Sequence, residues 1–154
     1  MPATTATPRE TAERFLRAAI GADPGDMADC YAPNFVIEMP FAEPLFPGRV
    51  ENTREELRAR LRAGTASRRY KRLGNVAIHE TTDPEVVIVE YELHGEFTET
   101  AEPFSMRFLM VLTVRDGQIV HSRDYSNPVV GARVTGRLPE LIAALNADGA
   151  AING

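Results

Sequence analysis

The segment 104–128 constrains the fold of this chain more than any other stretch. Apolar and polar residues alternate on both sides of the tetrapeptide 115–118, and a period of two is typical of strands with one buried face. The Asp116-Gly117 pair tolerates the positive φ angles of a tight hairpin, so the segment predicts two long antiparallel strands. One face of the first strand is wholly apolar and carries Met106, Phe108, Met110, Leu112 and Val114.

Asp124 is the most informative residue of the second strand. If the turn lets Val120, Ser122 and Asp124 continue the apolar face, a single acid stands at the end of that wall. A carboxyl group in such surroundings is costly unless it is paired, protonated or used in chemistry. We therefore predict that Asp124 is a catalytic acid or base with a raised pKa. Arg14 on the first predicted helix is the one cation that we expect to oppose that shift.

A structural role for Asp124 is the alternative interpretation. Its carboxylate would then pair with Arg123 or Arg107, or it would cap the turn at 126–128. Both interpretations place Asp124 on the strand after the hairpin turn, and they differ in whether the carboxyl group has a fixed protein partner.

The remaining elements follow from apolar periodicity and from proline, glycine and capping residues. Thr11 or a neighbour caps a first helix, and Gly21 ends it. Asn52 or Thr53 caps a helix over 54–62, whose early glutamates and later arginines suit the helix dipole. We further predict a short helix at 27–30, a turn at 31–34, strands at 35–39, 70–81 and 86–97, a loop at 40–48, and a last helix at 139–146 that is capped by Gly149.

This order of elements predicts an α+β fold. Three N-terminal helices are too few to cover both faces of a sheet with four long antiparallel strands, but they can fill one face of a strongly curved sheet. The result is a cone with an apolar interior. The opposite face then needs a partner, and we expect a homodimer. That outer face carries Glu90, Glu92, Leu109, Val111 and Tyr125.

Composition and charge restrict the function classes. A chain of 154 residues fits one domain, which we place at 10–147 between an arm at 1–9 and a tail at 148–154. The net charge of −5 argues against nucleic acid as a partner. A single cysteine excludes an intramolecular disulfide, and the three histidines lack metal-ligand spacing with any acid, so we expect no metal site. No apolar run is of membrane-spanning length and no signal peptide is recognisable, so we expect a cytoplasmic protein with no membrane partner.

Three strings of the sequence resemble the nuclear transport factor 2-like superfamily. They are 31–40 (YAPNFVIEMP), 82–90 (TDPEVVIVE) and 116–128 (DGQI followed by RDYSNP). The superfamily includes ketosteroid isomerases, limonene epoxide hydrolases and SnoaL-like polyketide cyclases, and the last two strings are most similar to PhzA/PhzB proteins of phenazine biosynthesis. The resemblance covers residues 10–145 and implies a cone-shaped α+β barrel, a fold that hosts many chemistries.

The resemblance to ketosteroid isomerases implies that this chain lacks the catalytic residues of those enzymes. The positions that hold a tyrosine and two aspartates in those enzymes match Phe15, Met39 and Met110 here. Because no base and no oxyanion donor remains at these positions, we expect no steroid isomerase activity.

Asp124 is the one catalytic residue that the resemblance supports. The Arg-x-Asp pair of limonene epoxide hydrolases matches Tyr91 and Leu93, so that pair is lost, whereas their last-strand aspartate matches Asp124. PhzA/PhzB proteins carry a glutamate at this place that is thought to act as an acid, and SnoaL-like cyclases use an aspartate in this part of the pocket as acid and base. The resemblance therefore implies an acid/base role for Asp124.

A hydrophobic ligand pocket is predicted beside Asp124. A cone closed by short helices is hard to fill, and methionine adapts to ligands of varied shape. The alternative is an ordinary core, in which Tyr91 is a core tyrosine and Ser122 a small filler. The predicted substrate-binding residues are Phe15, Met39, Phe41, Tyr91, Leu93, Phe108, Met110 and Ser122.

Together these observations predict a cofactor-free acid/base enzyme that acts on a hydrophobic small molecule of secondary metabolism. The reaction would be a cyclisation, an isomerisation or a dehydration, with Asp124 as the acid/base. One alternative is an epoxide hydrolase with a rearranged site, and another is a non-catalytic protein that binds and shields a small molecule. An enzyme needs a titrating group in the pocket, whereas a binding protein needs only the cavity.

Overall fold

The computed structural model describes residues 4–152, which form five helices and six strands. Residues 1–3 of the predicted arm and 153–154 of the predicted tail lie outside this range. Within it, no helix is long and apolar enough to cross a bilayer. The elements are α1 (Pro8–Ala19), a 3-10 helix (Pro24–Cys30), β1 (Tyr31–Glu38), β2 (Arg49–Thr53), α2 (Arg54–Gly64), β3 (Arg68–Glu80), β4 (Val86–Phe97), β5 (Pro103–Arg115), β6 (Gln118–Ser126), α3 (Pro128–Val134) and α4 (Leu138–Ile152).

The six strands form one sheet in the order β2-β1-β6-β5-β4-β3. β1 and β6 run parallel, and every other neighbouring pair is antiparallel. α1 contacts β3, β4, β5 and β6, while α2 packs against the 3-10 helix and contacts β1 and β2. The apolar core fills the space between these helices and the sheet. The predicted α+β fold, with N-terminal helices inside a curved and mostly antiparallel sheet, is confirmed.

The hairpin between β5 and β6 has the geometry that its Asp-Gly pair predicts. Asp116 and Gly117 both have positive φ angles, of 52° and 72°, which match the twist of the strands that they join. The register places Met110 directly opposite Asp124. Because residues that face each other across a ladder share one side of the sheet, Asp124 lies on the apolar face.

A bulge near the turn changes which residues of β6 face inward. Thr113 lies opposite His121, but the next residue, Val114, lies opposite Ile119, so the alternation of β6 shifts by one residue here. Ile119 is fully buried, whereas Val120 is only partly buried. The expectation that Val120 continues the apolar face is therefore wrong, and Ile119 takes its place.

Capping boxes define the starts of α1 and α2. The Thr7 hydroxyl accepts a hydrogen bond from the Glu10 backbone at 3.1 Å, and the Glu10 carboxylate accepts one from the Thr7 backbone at 2.8 Å. Thr53 and Glu56 repeat this arrangement at 3.2 and 2.8 Å. Thr53 is thus confirmed as a cap, whereas α1 begins before the predicted cap at Thr11 because the Thr-x-x-Glu signal lies one turn earlier.

Several local predictions are corrected by the structure. β2 is an additional strand that follows the proline-rich loop and pairs with β1. α3 is an additional helix, and its cap is Asn127, whose side chain accepts hydrogen bonds from the backbone of Val129 and Val130. The predicted turn at 31–34 is the irregular start of β1. α4 continues past Gly149, since one glycine costs only about 1 kcal/mol in a helix and does not force it to end.

Gly95 and Gly131 provide matched tests of packing. A Cβ atom added at Gly95 would overlap with the Arg69 carbonyl oxygen and lie 2.7 Å from the Phe104 ring. We expect Gly95→Ala to lower the free energy of unfolding by about 1–3 kcal/mol, because the backbone and the ring are both confined. At Gly131 in α3 no heavy atom of the described residues lies within 4 Å of such a Cβ, apart from its chain neighbours and the backbone of its own helix. Gly131→Ala is therefore expected to raise the free energy of unfolding by about 0.4–1 kcal/mol. Urea unfolding measures both values, and equal effects would contradict this packing.

Candidate active site

A cavity of about 310 Å³ lies between the sheet and the N-terminal helices. Residues of α1, the 3-10 helix, α2 and all six strands contribute to its wall, together with the loop before β2. Seven of the nine predicted site residues line this cavity: Phe15, Met39, Tyr91, Leu93, Phe108, Met110 and Asp124.

Two predicted site residues do not line the cavity. Phe41 is 60% exposed, and its ring packs edge-on against Tyr125 at 5.4 Å. The chain reverses after Met39, where the Ala42 backbone donates a hydrogen bond to the Met39 carbonyl at 3.1 Å, so the prediction for Phe41 is wrong. Ser122 is fully buried behind the wall, and its hydroxyl donates a hydrogen bond to the Asp124 carboxylate.

Asp124 projects from β6 into the cavity and is half-buried. Burial raises the pKa of this carboxyl group to about 6, because the charged form loses hydration. The hydrogen bond from Ser122 opposes the rise in pKa, and so do the nearby side chains of His121 and Arg60. Near neutral pH the Asp124 carboxyl group is therefore ionised in most molecules and protonated in a minority.

The structural alternatives for Asp124 do not match its surroundings. Within residues 4–152, no cationic side chain lies within salt-bridge distance of the Asp124 carboxylate. Arg107 instead pairs with Glu92 at 2.8 Å, and the turn into α3 is capped by Asn127. Asp124 therefore faces the cavity with Ser122 as its hydrogen-bond partner.

The arginine that acts on Asp124 comes from α2 and not from α1. Arg14 donates a hydrogen bond to the Gly117 carbonyl at 3.1 Å, which fixes α1 to the β5–β6 turn. Arg60 lines the same cavity as Asp124 and lowers its pKa. The expectation that Arg14 opposes the pKa shift is therefore wrong.

Two tyrosine hydroxyls belong to the same cavity. Tyr91 stacks on Phe108 with ring centroids 5.1 Å apart, and its hydroxyl donates a hydrogen bond to the Met110 sulfur at 3.4 Å. Tyr31 also lines the cavity. Burial, and then the charge of Asp124, raises the pKa of both tyrosines, so both hydroxyls stay protonated and remain hydrogen-bond donors.

Four polar residues that line the cavity were not predicted, and the sequence carried a signal for one of them, Arg60. The four residues are Tyr31, Asn52, Arg60 and Tyr70. Arg60 lies beside Leu57 and Leu61 on one face of α2, and a stripe of that spacing usually packs against the core. The position of Tyr31 depended on the irregular start of β1, and that of Asn52 on β2, which has few residues and a distant partner.

The loop before β2 closes one side of the cavity. Phe46 contributes to the wall, and the Arg137 guanidinium lies 4.4 Å from the centre of the Phe46 ring. Arg137 is in turn held by Glu140 at 2.7 Å. The segment between α3 and α4 therefore supports this part of the wall from outside.

Comparison with known proteins places this chain in a protein family. Residues 12–122 match the SnoaL-like domain. Over 121 residues the chain is 31% identical to an uncharacterized PhzA/B-like protein of Pseudomonas aeruginosa, covering 79% of this chain and 84% of that protein. 

Solved structures share the fold of this chain. A proposed isomerase from Bacillus subtilis superimposes with a TM-score of 0.73 at 25% identity, covering 84% of this chain and 93% of that one. A proposed polyketide cyclase from Xanthomonas campestris shares the fold at a TM-score of 0.67 and 18% identity, covering 83% and 96% of the two chains. The protein belongs to the SnoaL-like domain family, whose structural neighbours are of the polyketide cyclase and isomerase type.

Proposed function

We propose that this protein is an acid/base enzyme of the cyclase or isomerase type that acts on a hydrophobic small molecule without a cofactor. The single observation that carries the proposal is Asp124, a half-buried carboxyl group with a pKa of about 6 on the wall of an otherwise mostly apolar cavity. A group with a pKa near the working pH both accepts and returns a proton readily.

The side chains around Asp124 suit proton transfer at carbon. Its carboxylate would remove a proton next to a ligand carbonyl, and the negative charge that develops on the carbonyl oxygen needs a donor. Tyr91 and Tyr31 both keep their protons. The Tyr91 hydroxyl donates to the Met110 sulfur, which is a weak acceptor, so a ligand oxygen would readily take its place.

Deuterium exchange tests the proposal without knowledge of the natural substrate. Cyclohexanone, α-tetralone and β-tetralone carry exchangeable protons beside their carbonyl groups and differ in size. We expect the protein to accelerate exchange of these protons in heavy water, followed by proton NMR, in at least one ketone that fits the cavity. Exchange at the buffer rate for all three ketones would contradict proton transfer and favour the non-catalytic binding protein.

The epoxide hydrolase alternative differs from the proposed function in its product. It would add water to a cyclic epoxide and give a diol, whereas the proposed enzyme would leave the epoxide intact. Incubation with limonene epoxide, followed by chromatography, separates these outcomes. The apolar character of Leu93 and the stacked position of Tyr91 favour the proton-transfer enzyme, because neither side chain replaces an Arg-x-Asp pair.

We also propose that two copies associate through the outer face of the sheet that carries Glu90, Glu92, Leu109, Val111 and Tyr125. Leu109 lies opposite both Glu90 and Tyr125 in the ladders, and the exposed Phe41 ring extends this apolar surface at Tyr125. Apolar surface of this kind is typical of an interface.

Light scattering at micromolar concentration should give about twice the chain mass of 17.0 kDa, and Tyr125→Glu should reduce the measured mass. A monomer for the unmodified protein would contradict the proposal.

A further inference from the structure

Arg60 differs from Arg58 and Arg62 of α2 in having no carboxylate partner among the described residues, and from Arg54 in lining the cavity. Arg54 donates to the Tyr31 carbonyl at 2.6 and 2.9 Å. Arg58 and Arg62 form salt bridges with aspartates of the segment before β1. Arg60 lines the cavity, and no carboxylate of the described residues lies within salt-bridge distance of its guanidinium group.

The surroundings of Arg60 hold its guanidinium group in place without neutralising it. Its Nη1 donates a hydrogen bond to the Asn52 side-chain oxygen at 3.3 Å. Asn52 is only 7% exposed, and its side-chain nitrogen donates to the Val50 carbonyl at 3.1 Å, which fixes the amide orientation. Glu56, one turn before Arg60, accepts a hydrogen bond from the Thr53 backbone at 2.8 Å. The nearest acid on the same helix face is therefore occupied by the capping box.

Most of the hydrogen-bonding capacity of Arg60 is unused. A guanidinium group has five N–H donors in a planar fork that matches the two oxygens of a carboxylate, and among the described residues Arg60 uses one of them, for Asn52. Leu57 and Leu61 flank Arg60 on the helix and line the same cavity. Arg60 itself is exposed, so its guanidinium group lies at the open edge of this apolar wall, where the charged end of a ligand can reach it.

We propose that Arg60, positioned by Asn52, binds an anionic group of the ligand, so that the molecules this cavity accepts are small hydrophobic organic acids. The carboxylate of the ligand pairs with Arg60, and its apolar body occupies the cavity. This inference rests on the proposed function in taking the same cavity as the substrate site, and it adds the substrate class.

The charges of the cavity also orient such a ligand. An ionised Asp124 repels a carboxylate, whereas Arg60 attracts it, and both side chains line one cavity. The anionic end of the ligand therefore lies toward Arg60 and α2, and a neutral, reactive end lies toward Asp124 on β6. A neutral amide of the same shape can accept a hydrogen bond from Arg60 but forms no ion pair with it.

A matched pair of ligands tests the proposal. β-Naphthoate and β-naphthamide have the same ring system and differ in charge, and isothermal titration calorimetry at neutral pH measures the binding of each. Charge-assisted, bidentate hydrogen bonds are about twice as strong as neutral ones, so we expect naphthoate to bind at least about tenfold more tightly than the amide. Benzoate with benzamide and cinnamate with cinnamamide extend the comparison to smaller and longer ligands.

Variants on α2 locate the effect. Arg60→Gln should remove the preference for the acid, because it weakens binding of the acid much more than binding of the amide. Arg60→Lys should retain part of the preference because one positive charge remains. Arg62→Gln is the control: it removes the same charge from the same helix, at an exposed salt bridge with Asp23, and should keep the full preference. Circular dichroism of each variant establishes that it is folded.

The outcomes distinguish this inference from the proposed function. Equal binding of acid and amide in all three pairs, failure of every acid to bind at millimolar concentration, or an acid preference that survives Arg60→Gln would overturn it, even if ketone exchange is catalysed. An acid preference that depends on Arg60, without any ketone exchange, would support the inference and contradict the acid/base enzyme.

Discussion

Asp124→Asn is expected to reduce the acceleration of ketone deuterium exchange by at least about a hundredfold, the usual contribution of a general acid/base group. The variant keeps the shape of the side chain and the hydrogen bond with Ser122 but cannot accept a proton at neutral pH. Binding of β-naphthamide, measured by calorimetry, should change little. Retention of full exchange activity by Asp124→Asn would exclude Asp124 as the proton carrier.

The same substitution should change how stability depends on pH. The pKa of Asp124 is about 6 in the folded protein and 3.8 for an ordinary aspartate, so ionisation is harder when the chain is folded. The contribution of the protonated Asp124 carboxyl group to the free energy of unfolding is fully present below pH 3.8. This contribution falls as the pH rises toward 6 and is absent above that value. A pKa difference of about two between the folded and unfolded protein corresponds to a change of roughly 2–3 kcal/mol in the free energy of unfolding.

Urea unfolding of both proteins across this pH range isolates the contribution of Asp124. Near pH 4 the two free energies of unfolding should be similar, and above about pH 6 Asp124→Asn should be the more stable protein, because it carries no buried charge. Other acids, such as Asp23 with its lowered pKa, contribute equally to both proteins. Curves that stay parallel over the whole range would contradict the raised pKa.

Ser122→Ala provides a second measurement on the same carboxyl group. The Ser122 hydroxyl donates to Asp124 and lowers its pKa, so its removal should raise that pKa further. The pH midpoint of ketone exchange should then move to higher pH, while exchange at high pH is retained. An unchanged midpoint would show that the titrating group is not Asp124.

Leu112→Ala is expected to have the largest effect on stability. Leu112 of β5 is fully buried and does not line the cavity. Removal of such a side chain leaves an unfilled space and typically costs about 2–5 kcal/mol. Urea unfolding should therefore give a much lower free energy of unfolding for this variant than for the unmodified protein.

Met110→Ala, two residues earlier on the same face of β5, is the matched comparison. Met110 lines the cavity, so part of its surface has no packing partner to lose, and we expect a smaller loss than for Leu112→Ala. The cavity should become larger, and exchange of β-tetralone relative to cyclohexanone should rise. A loss equal to that of Leu112→Ala would mean that Met110 belongs to a filled core.

The sequence determined the elements whose signals are local. The 115–118 turn, the alternation along β4, β5 and β6, and the capping residue Thr53 each depend on residues that are close together in the chain. The same alternation placed Tyr91, Met110 and Asp124 on one face of the sheet. The period-two alternation and the turn residues are sufficient to predict these strands and their inward faces. The reason is that a strand with one buried face has only one register that keeps its apolar residues inside.

The tertiary structure alone decided what surrounds Asp124. The bulge that exchanges Val120 for Ile119 and the reversal that leaves Phe41 outside are short-range features that no turn or period signal in the sequence marked. The pairing of β2 with β1 joins residues across a loop. Arg60 reaches the cavity because α2 packs beside β1 and β2. The burial of Asp124 raises the pKa of that carboxyl group, and Ser122, His121 and Arg60 oppose the rise. Electrostatic interactions depend on distance and burial in space, and neither quantity can be read from spacing along the chain.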